Sequence, residues 1–337
     1  MRMIRKLQKR PENPFQAAGY QAAIIEAPQQ FEITQETLPE PGEGEVRVKI
    51  EGCGVCASTI PVWEGRDWFD YPREAGAPGH EGWGVIDAVG KDVQGFAKRE
   101  RVTGLSYKAY ATHDIARAED LVKLPDFLDG YPFPGEPLGC VMNIFSRSAI
   151  KKGQTVAVVG CGFMGLLLIQ LAKSAGAKVI GISRREFSLE EAANAGADHT
   201  IKLDDHYKII DEVKKITGGN FCERVIEATG IEWPLNLSIE LTAERGKLIV
   251  AGYHQDGMRT INVQMLNWRG IDMISAHERD SKNYVKGIKE AIEAIRYRHM
   301  DPFPYFTHTY NLEDIEKAYQ LLTNRPDGFI KALILNQ

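Results

Sequence analysis

Two cysteines stand in C-x-x-C spacing within Gly52-Cys53-Gly54-Val55-Cys56. Thiols at that interval act as a redox dithiol, supply half of a zinc site, or lie together with no joint chemistry. A redox pair opens a helix after a strand in a thioredoxin-like order. Here the continuation Ala57-Ser58-Thr59-Ile60-Pro61 carries a proline expected to interrupt such a helix. A structural zinc ribbon needs a second cysteine pair nearby, and the remaining cysteines are Cys140, Cys161 and Cys222. An odd number of cysteines in a long chain, with no apolar secretory segment at its start, does not suggest a disulfide framework. A cytoplasmic location is expected.

A second group carries phosphate chemistry. Val156-Ala157-Val158-Val159-Gly160-Cys161-Gly162-Phe163-Met164-Gly165 holds Gly160, Gly162 and Gly165 in G-x-G-x-x-G spacing. The apolar run before it reads as a buried strand and the segment after it as a helix, the context this motif needs. Gly160 is expected to permit the tight turn and Gly162 to let backbone approach a pyrophosphate. Gly165 is expected to let helix and strand pack closely. Gly162, Phe163, Met164 and Gly165 then open a helix whose N-terminus faces the phosphates. The next strand ends at Ser183-Arg184-Arg185, where NAD-selective sites place an acid for the ribose hydroxyls. A hydroxyl and two guanidiniums suit a 2′-phosphate, so NADP(H) is expected over NAD(H).

These groups need elements to hold them. From Tyr20 to about Leu124 the pattern is of short strands, such as the alternating Glu45-Val46-Arg47-Val48-Lys49-Ile50, and predicts a small β-barrel or strongly curved sheet. Near Gly135 the character changes. A helix is predicted from Glu136, followed by strands 154–160, 178–183, 224–230 and 247–253, with helices 163–177, 188–198 and 234–246 between them. Alternating strands and helices require a parallel sheet covered on both faces. A helix over 283–298 and a strand over 329–335 close the chain. The start carries Arg2, Arg5, Lys6, Lys9 and Arg10, read as a solvated arm rather than a targeting peptide.

At Gly54-Val55-Cys56-Ala57-Ser58-Thr59, Gly79-His80-Glu81, Gly135-Glu136-Pro137-Leu138 and 310–322 the chain resembles the zinc-dependent medium-chain alcohol and polyol dehydrogenases. Motif order and spacing agree over nearly everything after the first twenty residues. The resemblance implies an α/β fold: a Rossmann doubly wound parallel sheet inserted in a GroES-like β-barrel catalytic domain. It implies a catalytic domain over 1–145 and 280–337, with the dinucleotide domain over 146–279. It gives Cys56 the place of the zinc thiolate, His80 that of the imidazole ligand, and Ser58 that of the hydroxyl that contacts the reacting alcohol. Glu81 and Glu136 each occupy a position where relatives bind the metal or stand beside it, and Cys140, four residues after Glu136, is a further candidate. One Cys, one His and one carboxylate leave the open position that catalysis needs. Cys53 is then a small buried side chain. Thr59 replaces the aspartate that orients the zinc-bound histidine in relatives, and Pro61 lies where some keep a relay histidine. The four-cysteine lobe of many relatives is absent, so one catalytic zinc and no structural zinc is expected.

The activity implied is hydride transfer between NADP(H) and a secondary alcohol or ketone, with a polyol, sugar or amino alcohol as substrate. A homodimer or homotetramer is implied. Trp63, Arg66, Asp67, Trp68, Phe69 and Tyr71 form a polar–aromatic stretch that either lines the substrate pocket or is a surface loop. The net charge of −5 gives no reason to expect nucleic acid, and no apolar run has membrane-spanning length. The alternatives are a zinc-free quinone or enone reductase of the same superfamily and a catalytically silent NADPH-binding protein.

Overall fold

The computed structural model describes residues 19–255 and 257–336; the basic arm at Arg2 to Arg10 lies outside them. The chain opens with a hairpin, β1 (Gly19–Ala27) and β2 (Gln30–Thr37). Then come β3 (Glu45–Gly54), α1 (Ile60–Glu64), β4 (Gly82–Val89), β5 (Arg101–Gly104), β6 (His113–Arg117) and β7 (Leu121–Lys123). Helix α2 (Gly135–Ser148) leads into β8 (Thr155–Val159), α3 (Phe163–Ser174), β9 (Lys178–Ser183), α4 (Glu186–Asn194), β10 (His199–Lys202) and α5 (His206–Thr217). Next are β11 (Cys222–Glu227), α6 (Glu232–Leu241), β12 (Thr242–Val250), α7 (Val263–Arg269) and β13 (Asp272–Ser275). The chain then returns through α8 (Ser281–Arg296), β14 (Phe306–Asn311), α9 (Ile315–Asn324) and β15 (Lys331–Leu335).

Two sheets result. The first runs β14-β15-β3-β4-β5-β7, with β6 also on β3, and so draws strands from both sides of the inserted segment. The second is all parallel in the order β10-β9-β8-β11-β12-β13, which reverses direction at β8. Strand periodicity explains its two covered faces. Val156, Val158 and Ile226 pack into one core with Leu166 and Ile288, while Ala157, Val159 and Val225 pack into another with Ile209 and Leu237. A third core fills the first sheet around Val48, Ile86, Tyr319 and Phe329.

Three local expectations differ. Pro61 does not interrupt a helix; it sits in the first turn of α1, where its missing N–H costs nothing. The helix expected over 234–246 stops at Leu241, and β12 starts at Thr242. Strands β10 and β13 and helices α5 and α7 were not anticipated. No helix among the described residues is long and apolar enough to cross a membrane.

Candidate active site

The antiparallel pairing of β3 and β4 builds the site. Cys53 faces Gly82 across the ladder, so the chain leaving β3 and the chain entering β4 emerge side by side. Cys56 lies two residues beyond one strand, and His80 and Glu81 immediately precede the other. Their ligand atoms lie within 4.8 Å of one another. Close approach depends on Gly54, where a Cβ would stand 1.8 Å from Glu81 Oε2. Cys53 points the other way, into the core of the first sheet, and burial pushes its thiol well above the usual range.

His80 is held without a carboxylate behind it. Its Nδ1 stands 3.0 Å from the carbonyl of Pro78, which can only accept, so Nδ1 carries the proton and Nε2 is free for a ligand. Thr59 takes no part in this. Its hydroxyl donates to the Cys56 carbonyl at 2.7 Å and lies 2.7 Å from Tyr319 Oη, itself 3.2 Å from Tyr110 Oη. Ser58 donates to Cys56 Sγ at 3.2 Å, which puts its hydroxyl beside the ligand group.

Lys331 completes the cluster and went unnoticed in the sequence. It is buried in β15, and its Nζ stands 2.6 Å from each Glu81 oxygen while donating only to Oε1. Oε2 is left buried without a hydrogen bond. The ammonium also lies 5.2 Å from the Phe163 ring. Glu136, in the first turn of α2, faces the same group but does not join it; its Oε1 accepts from Cys140 Sγ at 3.3 Å. Burial raises the pKa of Glu136 and pushes the Cys140 thiol well up, the latter helped by Glu136. Burial disfavours a cationic His80, yet Cys56 and the carboxylates of Glu136 and Glu81 outweigh it and push His80 up to about 10. The donor set therefore attracts positive charge, and its thiol, imidazole and carboxylate suit a divalent cation.

The glycine turn lies across from this cluster. Gly160 adopts φ +106°, and a Cβ on Gly165 would stand 1.9 Å from the Gly160 carbonyl, so the helix packs directly on the turn. Nothing lies within 4 Å of a Cβ on Gly162, so open space faces the turn there. The amides of Phe163 and Met164 belong to the first turn of α3, whose N–H groups lack intrahelical partners. The Phe163 side chain instead stacks on Phe306, with centroids 5.6 Å apart. Ser183 ends β9, buried, and Arg184 is exposed. Arg185 Nη1 donates to the carbonyls of Arg325, Pro326 and Phe329 at 3.4, 3.2 and 2.8 Å. The sequence reading had offered that guanidinium to a phosphate.

The polar–aromatic stretch divides. Trp63, Phe69 and Tyr71 pack on the core, whereas Arg66, Asp67 and Trp68 border a cavity of about 730 Å³ closed by α9 residues. That cavity is not lined by Ser58, Cys56 or His80.

A rolled sheet carrying a Cys–His–Glu group and a parallel sheet with a glycine turn are the parts that an oxidoreductase using a metal and a dinucleotide would need. Residues 42–126 match the alcohol dehydrogenase GroES-like domain and residues 164–294 the zinc-binding dehydrogenase family, more than half of the chain between them. The chain belongs to the zinc-type medium-chain dehydrogenase/reductases. It is 27% identical to a sorbitol dehydrogenase of Halalkalibacterium halodurans over 87% of this chain and 92% of that one. Its fold is shared with an Escherichia coli oxidoreductase/dehydrogenase of unknown specificity (TM-score 0.85, 23% identity, covering 94% of this chain and 99% of that one). It is also shared with a mycobacterial quinone oxidoreductase (TM-score 0.79, 23% identity, covering 94% and 100%).

Proposed function

We propose that the protein is a zinc-dependent NADP(H) oxidoreductase acting on a secondary alcohol or its ketone, of the polyol, sugar or amino alcohol type. The observation that carries this reading is the convergence of Cys56, His80 and Glu81 on one point. Cys56, His80 and Glu81 would hold the metal, with Glu136 beside it; Glu81 is preferred to Glu136 and Cys140 because its carboxylate lies within 4.8 Å of both the Cys56 and the His80 ligand atoms. Zinc held there would supply Lewis acidity toward a bound alcohol, and a bound nicotinamide would supply the hydride acceptor. Ser58, beside Cys56 Sγ, would accept a hydrogen bond from the alcohol hydroxyl. Pro78 fixes the His80 ring, and Lys331 holds Glu81 in place while offsetting part of the charge. The free amides opening α3 would hold a pyrophosphate.

The polyol class rests on the position of Glu136 and on the likeness to a sorbitol dehydrogenase. A zinc-free quinone reductase has the same fold but no need of an anionic donor set. The test is metal analysis with turnover of a panel of polyols and amino alcohols, before and after chelation; turnover indifferent to chelation would refute the zinc reading. A cytoplasmic location is consistent with five unpaired thiols. A homodimer is our reading of the exposed edge strand β13 and of α7, which among its residues buries none and exposes Val263 and Trp268.

A further inference from the structure

The 2′-phosphate of NADP is expected at the Ser183 hydroxyl and the Arg184 and Arg185 guanidiniums. The structure gives Arg185 other work. One nitrogen of its guanidinium donates to three carbonyls of the turn at 325–329, which belongs to the other sheet's domain. These bonds bring that turn against the end of β9, where a dinucleotide fold receives the adenosine ribose. The turn's first residue is Arg325. It caps α9 in the left-handed region at φ +45°, and its Nε donates back to the Leu322 carbonyl at 3.1 Å. None of Arg184, Arg185 and Arg325 is ion-paired with a carboxylate among the described residues. Asp327 is the acid close enough to act on Arg185. Each of Arg185 and Arg325 is disfavoured as a cation, first by burial and then by the neighbouring arginines. Three guanidiniums gathered from two segments, with Asp327 the one carboxylate acting on Arg185, leave an excess of positive charge that suits a polyanion.

We infer that Arg325, from the returning C-terminal segment, joins Arg184 across the cleft to grip the adenosine 2′-phosphate, with Arg185 as the positioning residue that holds Arg325's turn in place. This inference rests on the NADP reading above. It makes cofactor choice a property of both domains: a 2′-phosphate bridges Arg184 and Arg325 and draws the two sheets' domains together, whereas NAD leaves the two guanidiniums apart.

The experiment is titration of the intact protein with NADPH and with NADH, followed by nicotinamide fluorescence, for wild type, Arg325→Gly, Arg325→Lys and Arg184→Ala. Glycine suits the left-handed cap, so Arg325→Gly removes the guanidinium and keeps the turn. A hydrogen bond to a charged group contributes about 1.5–3 kcal/mol, so NADPH binding should weaken by roughly tenfold to a hundredfold in Arg325→Gly. NADH binding should change less than about twofold, and Arg325→Lys should fall between. Equal weakening of both cofactors would place Arg325 on a group they share and overturn the inference, as would no weakening of either. A wild type that binds NADH more tightly than NADPH would instead defeat the underlying cofactor reading, a result visible before any variant is made.

Discussion

Residue by residue, the site is a balance of charge. Cys56, Glu81 and Glu136 are gathered around His80, with Lys331 the facing ammonium. Glu81 is fully buried and Lys331 nearly so, and a buried pair loses most when one member is removed. Lys331→Met should destabilise the protein by about 3–5 kcal/mol, measured by urea unfolding, and Glu81→Gln added to it should restore a large part. If the double variant is no more stable than the single, the two groups are not coupled. Cys56 and His80 stood out because residues 54–59 and 79–81 resemble the family's motifs. Lys331 did not. It stands 250 residues from Glu81 inside an apolar run, Phe329 to Leu335, that reads simply as a core strand. The Pro78 carbonyl that orients His80 has no side-chain signature at all, so the loss of the usual aspartate at Thr59 looked more serious from the sequence than the structure makes it.

At the level of elements, the strand–turn–helix at β8 and α3 was plain in sequence because the apolar run, the glycines and the helix each speak for themselves. Its glycines now separate by role. Gly165→Ala places a Cβ against the Gly160 carbonyl, a backbone atom that cannot yield cheaply, so its melting temperature should fall. Gly162→Ala meets open space; it should melt like wild type yet bind NADPH and NADH more weakly alike. Calorimetry with cofactor titration decides, and a Gly162→Ala that binds normally would remove the phosphate from that turn. Arg185→Ala should also lower the melting temperature, since it releases three carbonyls of the 325–329 turn, while Arg184→Ala should leave it unchanged. Some elements gave little signal. Strands β10 and β13 have four residues each and bury few of them, so neither alternation nor an apolar run marks them. Helix α5 did carry a signal, in Ile209, Val213 and Ile216 at helical spacing between the capping Asp205 and Gly218, yet it was not among the expected helices.

For the whole molecule, the sheet order β10-β9-β8-β11-β12-β13 reverses at β8, which puts the expected dinucleotide crevice at the glycine turn that follows it. Burial of Phe163 against Phe306 and Lys331 links the two bodies at that point. The last strand of the parallel sheet is open, with Met273 and Trp268 exposed nearby. An unpaired apolar edge is a liability unless another chain covers it. If copies of the chain assemble through this edge, as proposed, Met273→Lys should lower the assembled mass in light scattering; a wild type that is already monomeric would contradict this.

The account stands on one metal per chain at the Cys56 group. The measurement is zinc content alongside turnover and NADPH affinity, for wild type, Cys56→Ala and Cys53→Ala. Wild type and Cys53→Ala should each carry about one zinc per chain and turn over; Cys56→Ala should carry none and be inactive while binding NADPH as tightly as wild type, because the glycine turn lies on the other sheet. A Cys56→Ala protein that keeps full activity, or a Cys53→Ala protein that loses the metal, would contradict it.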